Sequence, residues 1–157
     1  MDIVSELDIF LGSRDLSDEL KDFLLKHENG VKSTLYRGMN FPLHLLKVGN
    51  TLEEWHGSSH WSKERQIGLN FAYDGYINED YAEEIGTDDF VETVFVLKNN
   101  TKGIDTHSLT IEHNLDNWRK EKEVTFIGVD FIIESIQYVS DSEKPHYLVE
   151  VSEKTTK

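Results

Sequence analysis

The chain has 157 residues with no cysteine, and 16 lysines and arginines face 30 aspartates and glutamates for a net charge of −14. That length suits one domain, and the lack of cysteine excludes a disulfide framework or a cysteine-based zinc site and fits a reducing, intracellular setting. The negative charge repels phosphate backbones and anionic membranes, so nucleic acid is disfavoured as a partner and basic proteins are steered inward.

The start, Met1 to Glu6, has no basic segment followed by an apolar one, and no apolar run reaches membrane-spanning length. It reads as a soluble, unexported chain. Ile3 to Phe10, and then Leu16, Leu20, Phe23 and Leu24, place apolar residues at helical spacing, with Ser13 and Asp15 available as caps and Asn29-Gly30 as a stop. Val31 to Arg37 alternates and predicts a strand that ends in a turn at Gly38, with Arg37 at its C-terminal end. Residues 40–54 read as a short helix or loop and then a turn at Gly49-Asn50-Thr51.

Trp55 to Ser62 is rich in small polar and aromatic residues, and Ser62 is placed to cap a helix whose buried stripe is Ile67, Phe71 and Ala72. Tyr73 to Asp89 is too acidic and too broken for a regular element and reads as a solvated loop or insertion. Phe90 to Lys98 predicts a strand covered on both faces, with Val91, Thr93, Phe95 and Leu97 on one and Val94 and Val96 on the other. Asn99 to Gly103 turns the chain, and Ile104 to Asn117 is polar.

Three further strands are expected at Val124 to Phe131, broken at Gly128, at Ile132 to Val139, and at His146 to Val151, with a frayed polar end from Ser152. Helices first and strands after point to an α+β domain spanning 1–157, with helices over 1–30 and a β core over 31–151. Just before Val124, Glu121 and Glu123 lie two apart. In an extended strand both project from one face while Lys122 points away, and paired carboxylates repel unless a cation lies between them or a proton is shared. Alone, such a pair is an ordinary solvated strand edge.

In chain order the pieces are Leu35-Tyr36-Arg37-Gly38, then Ser-Ser-His-Trp-Ser with Phe71-Ala72 nine residues after Ser62, then Lys102-Gly103-Ile104-Asp105, then Glu121-Lys122-Glu123-Val124. Together these resemble the mono-ADP-ribosyltransferases of the Arg-Ser-Glu class, the clostridial-toxin-like group that includes bacteriophage enzymes, over roughly residues 31–139. The resemblance implies a split β-sandwich of two antiparallel sheets with NAD+ as co-substrate in the cleft and no metal. It also implies transfer of ADP-ribose to an acceptor protein with release of nicotinamide.

Residue by residue, the resemblance assigns Arg37, with Gly38 beside it, to the phosphates of NAD+, a task that suits a planar guanidinium. Ser62 matches the last serine of the family's S-T-S motif. His60 stands where the first serine is expected, so either His60 replaces that serine or Ser59 does by a shift of one residue. Glu123 matches the catalytic glutamate, which would bind the 2′-hydroxyl of the nicotinamide ribose and stabilise the positive charge that develops there. Glu121 matches the acceptor-choosing position, where a glutamate implies arginine, and Trp118 would stack on that arginine. Asp105 reads as structural. A phage or bacterial modifier of host proteins, acting in the host cytoplasm, fits this pattern.

Other readings remain beside it. His56 and His60 with Glu53 or Glu54 have metal-ligand spacing, though Gly57-Ser58-Ser59 opposes the helix this needs. The same fold could serve NAD+ hydrolysis or nucleic-acid modification. An acidic domain without catalysis could bind a basic partner or mimic nucleic acid.

Overall fold

The computed structural model describes residues 2–53, 57–74, 89–115 and 122–154. Helix α1 (Ile3–Ser13) starts at Asp2, whose carboxylate accepts from the Val4 and Ser5 amides. It ends at Arg14, which adopts the left-handed conformation with φ 65° and donates its amide to Phe10. Helix α2 (Asp18–Leu25) is capped by Ser17, not by Ser13 or Asp15; the Ser13 hydroxyl instead donates to the Ile9 carbonyl inside α1.

Strand β1 (Leu35–Pro42) starts later and runs further than the sequence pattern suggests. Its extent is set by β4 (Phe90–Leu97), which pairs with it residue for residue from Leu35↔Leu97 to Pro42↔Phe90. Val31 is held out of the sheet because the Asn100 side chain satisfies both its amide and its carbonyl. Gly38 therefore lies mid-strand rather than in a turn. A β-carbon on it would fall 1.5 Å from the Gly68 carbonyl oxygen, so helix α3 (Arg65–Tyr73) rests directly on the strand backbone there.

After a short 3₁₀ turn (Leu43–Leu45) the chain forms a two-residue strand β2 (Thr51–Leu52), then β3 (Ser58–Ser62). The polar stretch after Gly103 contains a helix, α4 (Thr106–Glu112), capped by Asp105. Strands β5 (Glu123–Ile127), β6 (Phe131–Val139) and β7 (His146–Glu153) follow. Ser152 and Glu153, expected in a frayed end, pair with Ile132 and Phe131 of β6. The acidic stretch at 75–88 lies outside the described residues.

The α+β class is borne out, with four α-helices among the described residues and seven strands in the order β2-β6-β7-β4-β1-β3-β5. All strand pairs are antiparallel except β4 with β7. The hydrogen bonding is thus continuous through one mixed sheet, where two antiparallel sheets were expected. The joint between β1 and β3 is a single registered pair, Tyr36↔Ser62, which divides the sheet into a five-stranded and a two-stranded part.

Those two parts share one apolar core. Trp61, Val124 and Phe126 from the two-stranded part pack with Leu35, Phe41, Phe95, Phe131 and Val149 from the other. Alternation then sends the next residues of β3 and β5 to the opposite face. There a second cluster, built from Leu7, Phe10, Leu11, Leu20, Leu24, Ile104, Leu109 and Ile127, seats α1, α2 and α4. Leu69, Ala72, Val94 and Val96 seat α3. Both faces of β4 are covered, as its apolar positions on both faces predict.

Candidate active site

Glu123 opens β5 opposite Ser62, and His60 lies opposite Thr125. Cross-strand partners share a face, so His60, Ser62, Glu123 and Thr125 all project away from the main core, toward α1 and α4. The Glu123 side chain is 7% exposed and cannot rely on water for its charge. Two groups serve the carboxylate instead, and a third holds the backbone behind it. Arg14 donates through both terminal nitrogens, Nη2 to Oε1 at 2.8 Å and Nη1 to Oε2 at 3.3 Å. His60 Nδ1 lies 3.4 Å from Oε2. Thr106 donates to the Glu123 carbonyl at 2.9 Å and fixes its backbone.

Burial pushes the Glu123 carboxyl up, but His60 and Arg14 outweigh it and bring the pKa from 4.5 down to about 2. Burial lowers His60 below its ordinary 6.5, and Arg14 and Arg37 lower it further; the negative charge of Glu123 opposes them without winning. His60 is therefore neutral at neutral pH. In that form it shares its Nδ1–H between Glu123 and Thr125, and the lasting positive charge at the carboxylate is the Arg14 guanidinium; the His60 charge joins it only once acid protonates the ring. One tautomer satisfies every neighbour: Nδ1–H faces Glu123 and Thr125 (3.2 Å to its hydroxyl), while Nε2 accepts from Ser58 at 3.2 Å. Phe10 closes the histidine from α1, with ring centroids 5.4 Å apart.

Ser59 lies on the other face of β3, buried, where its hydroxyl accepts from the Trp61 indole at 3.1 Å. Of the two groups left open by the sequence, His60 is the one beside Glu123. Ser62 is also buried on the Glu123 face, and its hydroxyl accepts from the Glu64 amide at 3.1 Å. It is not a helix cap, because α3 begins at Arg65 with Glu64 as its N-cap residue. Arg37 lies mid-strand on β1, half-buried, and its charge reaches His60. Gly38 is spoken for by α3, as described above.

The extended-strand argument for pairing Glu121 with Glu123 does not reach Glu121. Lys122 has φ 47°, a left-handed conformation, and β5 begins only at Glu123. Lys122 turns toward α3, where its ammonium pairs with Glu64. Glu121 and Trp118 lie outside the described residues, as do His56 and Glu54 of the metal-ligand set. Both ring nitrogens of His60 are already engaged within the protein. Asp105 takes a structural position: it caps α4 through the Ser108 amide and holds Lys63 Nζ at 2.8 and 2.9 Å.

No local pattern in the sequence marks Arg14, which closes α1 and lies 109 residues from Glu123.

No protein-family model matches this chain, and no curated protein sequence is significantly similar to it. Solved structures are similar to it. The Vis toxin of Vibrio splendidus, an ADP-ribosyltransferase, superposes with a TM-score of 0.56 at 19% identity, covering 99% of this chain and 69% of that one. This is the ADP-ribosyltransferase toxin fold. Plx2a, an ADP-ribosyltransferase toxin from Paenibacillus larvae, gives 0.54 at 13% identity over 96% of this chain and 80% of its own. Pseudomonas aeruginosa exoenzyme S gives 0.52 at 12% identity over 95% and 66%. Within that fold the sheet divides at Tyr36↔Ser62, and the ionised Glu123 lies beside the division.

Proposed function

We propose that the protein is an NAD+-dependent mono-ADP-ribosyltransferase that modifies arginine on an acceptor protein. The observation that carries this reading is Glu123: a buried carboxylate kept ionised, fixed by hydrogen bonds, and presented on the face of β3 and β5 that also carries His60 and Ser62. A fixed negative charge there does what glycosidic cleavage of NAD+ requires, since positive charge builds on the ribose as nicotinamide departs and a preorganised carboxylate at the 2′-hydroxyl stabilises it. Arg37 is assigned to the diphosphate by its fork of donors, and His60 to holding Glu123 in place of the first serine. The exoenzyme S structure contains carba-NAD, which supports NAD+ as the co-substrate.

The arginine acceptor rests on Glu121 and Trp118. A carboxylate pairs with a guanidinium and an indole face stacks on it, and a net charge of −14 draws basic proteins toward the site. Vis has been solved with agmatine, a guanidine, which is the acceptor chemistry proposed here. We assign the acceptor to a host protein met in the cytoplasm.

The test is incubation with labelled NAD+ and agmatine or an arginine-rich protein. Wild type should release nicotinamide and label the acceptor. Glu123→Gln should lower both by about 10²–10³-fold, the usual cost of losing a preorganised charge-stabilising group. Glu121→Gln should lose transfer to the guanidine and keep NAD+ hydrolysis. Wild-type activity retained in Glu123→Gln would end the catalytic reading. Release of nicotinamide with no acceptor labelled would reassign the enzyme to NAD+ hydrolysis.

A further inference from the structure

The proposed reaction joins a guanidinium to the ribose carbon next to the hydroxyl that Glu123 would hold. A guanidinium of this chain is already there. Arg14 engages both oxygens of Glu123, at 2.8 and 3.3 Å, and its side chain is 37% exposed against 7% for the glutamate, so it forms the solvent side of the pair. We propose that Arg14 is an intramolecular acceptor, and that in the absence of another substrate the protein transfers ADP-ribose to this residue. The inference rests on the reading of Glu123 as the catalytic carboxylate.

The geometry argues for a side chain that can yield without leaving. Its backbone is fixed: Arg14 closes α1 in a left-handed turn, its amide bonded to Phe10, and Leu7, Phe10 and Leu11 of the same helix are buried in the cluster that seats α1. Only the side-chain torsions are free to change. When the ribose 2′-hydroxyl takes one oxygen of Glu123, the two-point clasp opens, and Arg14 is held within a few ångströms of the adjacent ribose carbon by its own tether. Tethering replaces a bimolecular encounter with an intramolecular one, which favours reaction strongly at any protein concentration. The clasp also neutralises the charge that Glu123 needs for catalysis, so the resting site is occupied by its own acceptor analogue until NAD+ arrives.

In the step itself, a terminal nitrogen of Arg14 forms a bond to the ribose C1′. The bond from C1′ to the pyridinium nitrogen breaks, its electron pair leaves with nicotinamide, which departs neutral, and the nitrogen's surplus proton passes to solvent. NAD+ is the only co-reactant.

The full-length protein is incubated with adenine-labelled NAD+ and no acceptor, nicotinamide release is followed, and the modified peptide is located by fragmentation mass spectrometry. A single ADP-ribose on Arg14 is expected, formed at a per-molecule rate that does not change on dilution of the protein. Arg14→Lys, which keeps the charge and removes the guanidine, should lose that modification. Wild type that transfers to agmatine or releases nicotinamide but carries no ADP-ribose on Arg14 overturns the inference and leaves the proposed function standing. A rate that rises with protein concentration overturns the intramolecular route. Wild type that neither releases nicotinamide nor labels agmatine removes the proposed function, and this inference with it.

Discussion

The Trp61 indole donates to Ser59 at 3.1 Å on the core side of β3, one residue on either side of His60, which faces Glu123 from the opposite side of the strand. The alternation of a single strand thus separates a packing pair from the imidazole that faces Glu123. Removing the Ser59 hydroxyl leaves a buried indole N–H without a partner, so Ser59→Ala should cost about 1–3 kcal/mol. Urea unfolding measures this, and the folded variant should release nicotinamide at close to the wild-type rate.

His60→Ala should behave in the opposite way. It removes a hydrogen bond to a charged group, worth about 1.5–3 kcal/mol, and so should slow nicotinamide release by about 10–100-fold. Under the proposed function the loss should fall on kcat more than on KM for NAD+, because the imidazole lies against the carboxylate and is assigned to positioning it. His60→Asn, which can still donate to Glu123, should recover part of the rate, as read from the same assay.

The Glu123 carboxyl, lowered from 4.5 to about 2 in the folded protein, makes stability depend on acid. The unfolded chain takes up this proton near 4.5, before the native state does. The stabilisation is therefore complete above that pH and drains away as the pH falls toward 2, by about 3 kcal/mol in all. His60, lowered from 6.5 by burial, acts in the same direction as the pH falls below 6.5. Arg14→Met should destabilise the protein at neutral pH and flatten its dependence on acid, since the unpaired Glu123 titrates closer to its ordinary range. Urea midpoints measured from pH 7 to pH 3 check both effects.

Gly38→Ala places a methyl group 1.5 Å from the Gly68 carbonyl oxygen, a backbone atom that cannot turn aside. Helix α3 must lift from β1, and with it the contacts of Leu69 and Ala72. Overpacking of this kind costs about 1–3 kcal/mol or more, so the thermal midpoint should fall by several degrees or the protein should fail to fold. If Gly38 served only a ligand, the thermal midpoint of the free protein would not move.

Asp105→Ala removes a cap from α4 and a partner from Lys63. The cap alone is worth about 1 kcal/mol, and the half-exposed ion pair adds little to it. Differential scanning calorimetry should show this modest loss. Activity per folded molecule should be largely retained.

Short-range chemistry was legible in the sequence because its signals are local. The apolar spacing of α1 and α2, the apolar positions on both faces of β4 and the turn glycine at Gly128 all arise from neighbours a few residues apart, and from the order of such elements the α+β class followed. What failed depended on distant partners. β1 runs past Gly38 because β4 lies beside it, β7 keeps Ser152 and Glu153 because β6 does, and α4 hides in a polar stretch because only Thr106, Leu109 and Thr110 are buried in it. The Glu121-Lys122-Glu123 alternation stops where Lys122 takes a positive φ, a choice the pattern of side chains does not record. The site was decided in three dimensions. Only the packing of α1 against β3 and β5 puts Arg14 on Glu123, and only the pleat of β3 selects His60 over Ser59, because which face a residue presents depends on what the rest of the chain places there.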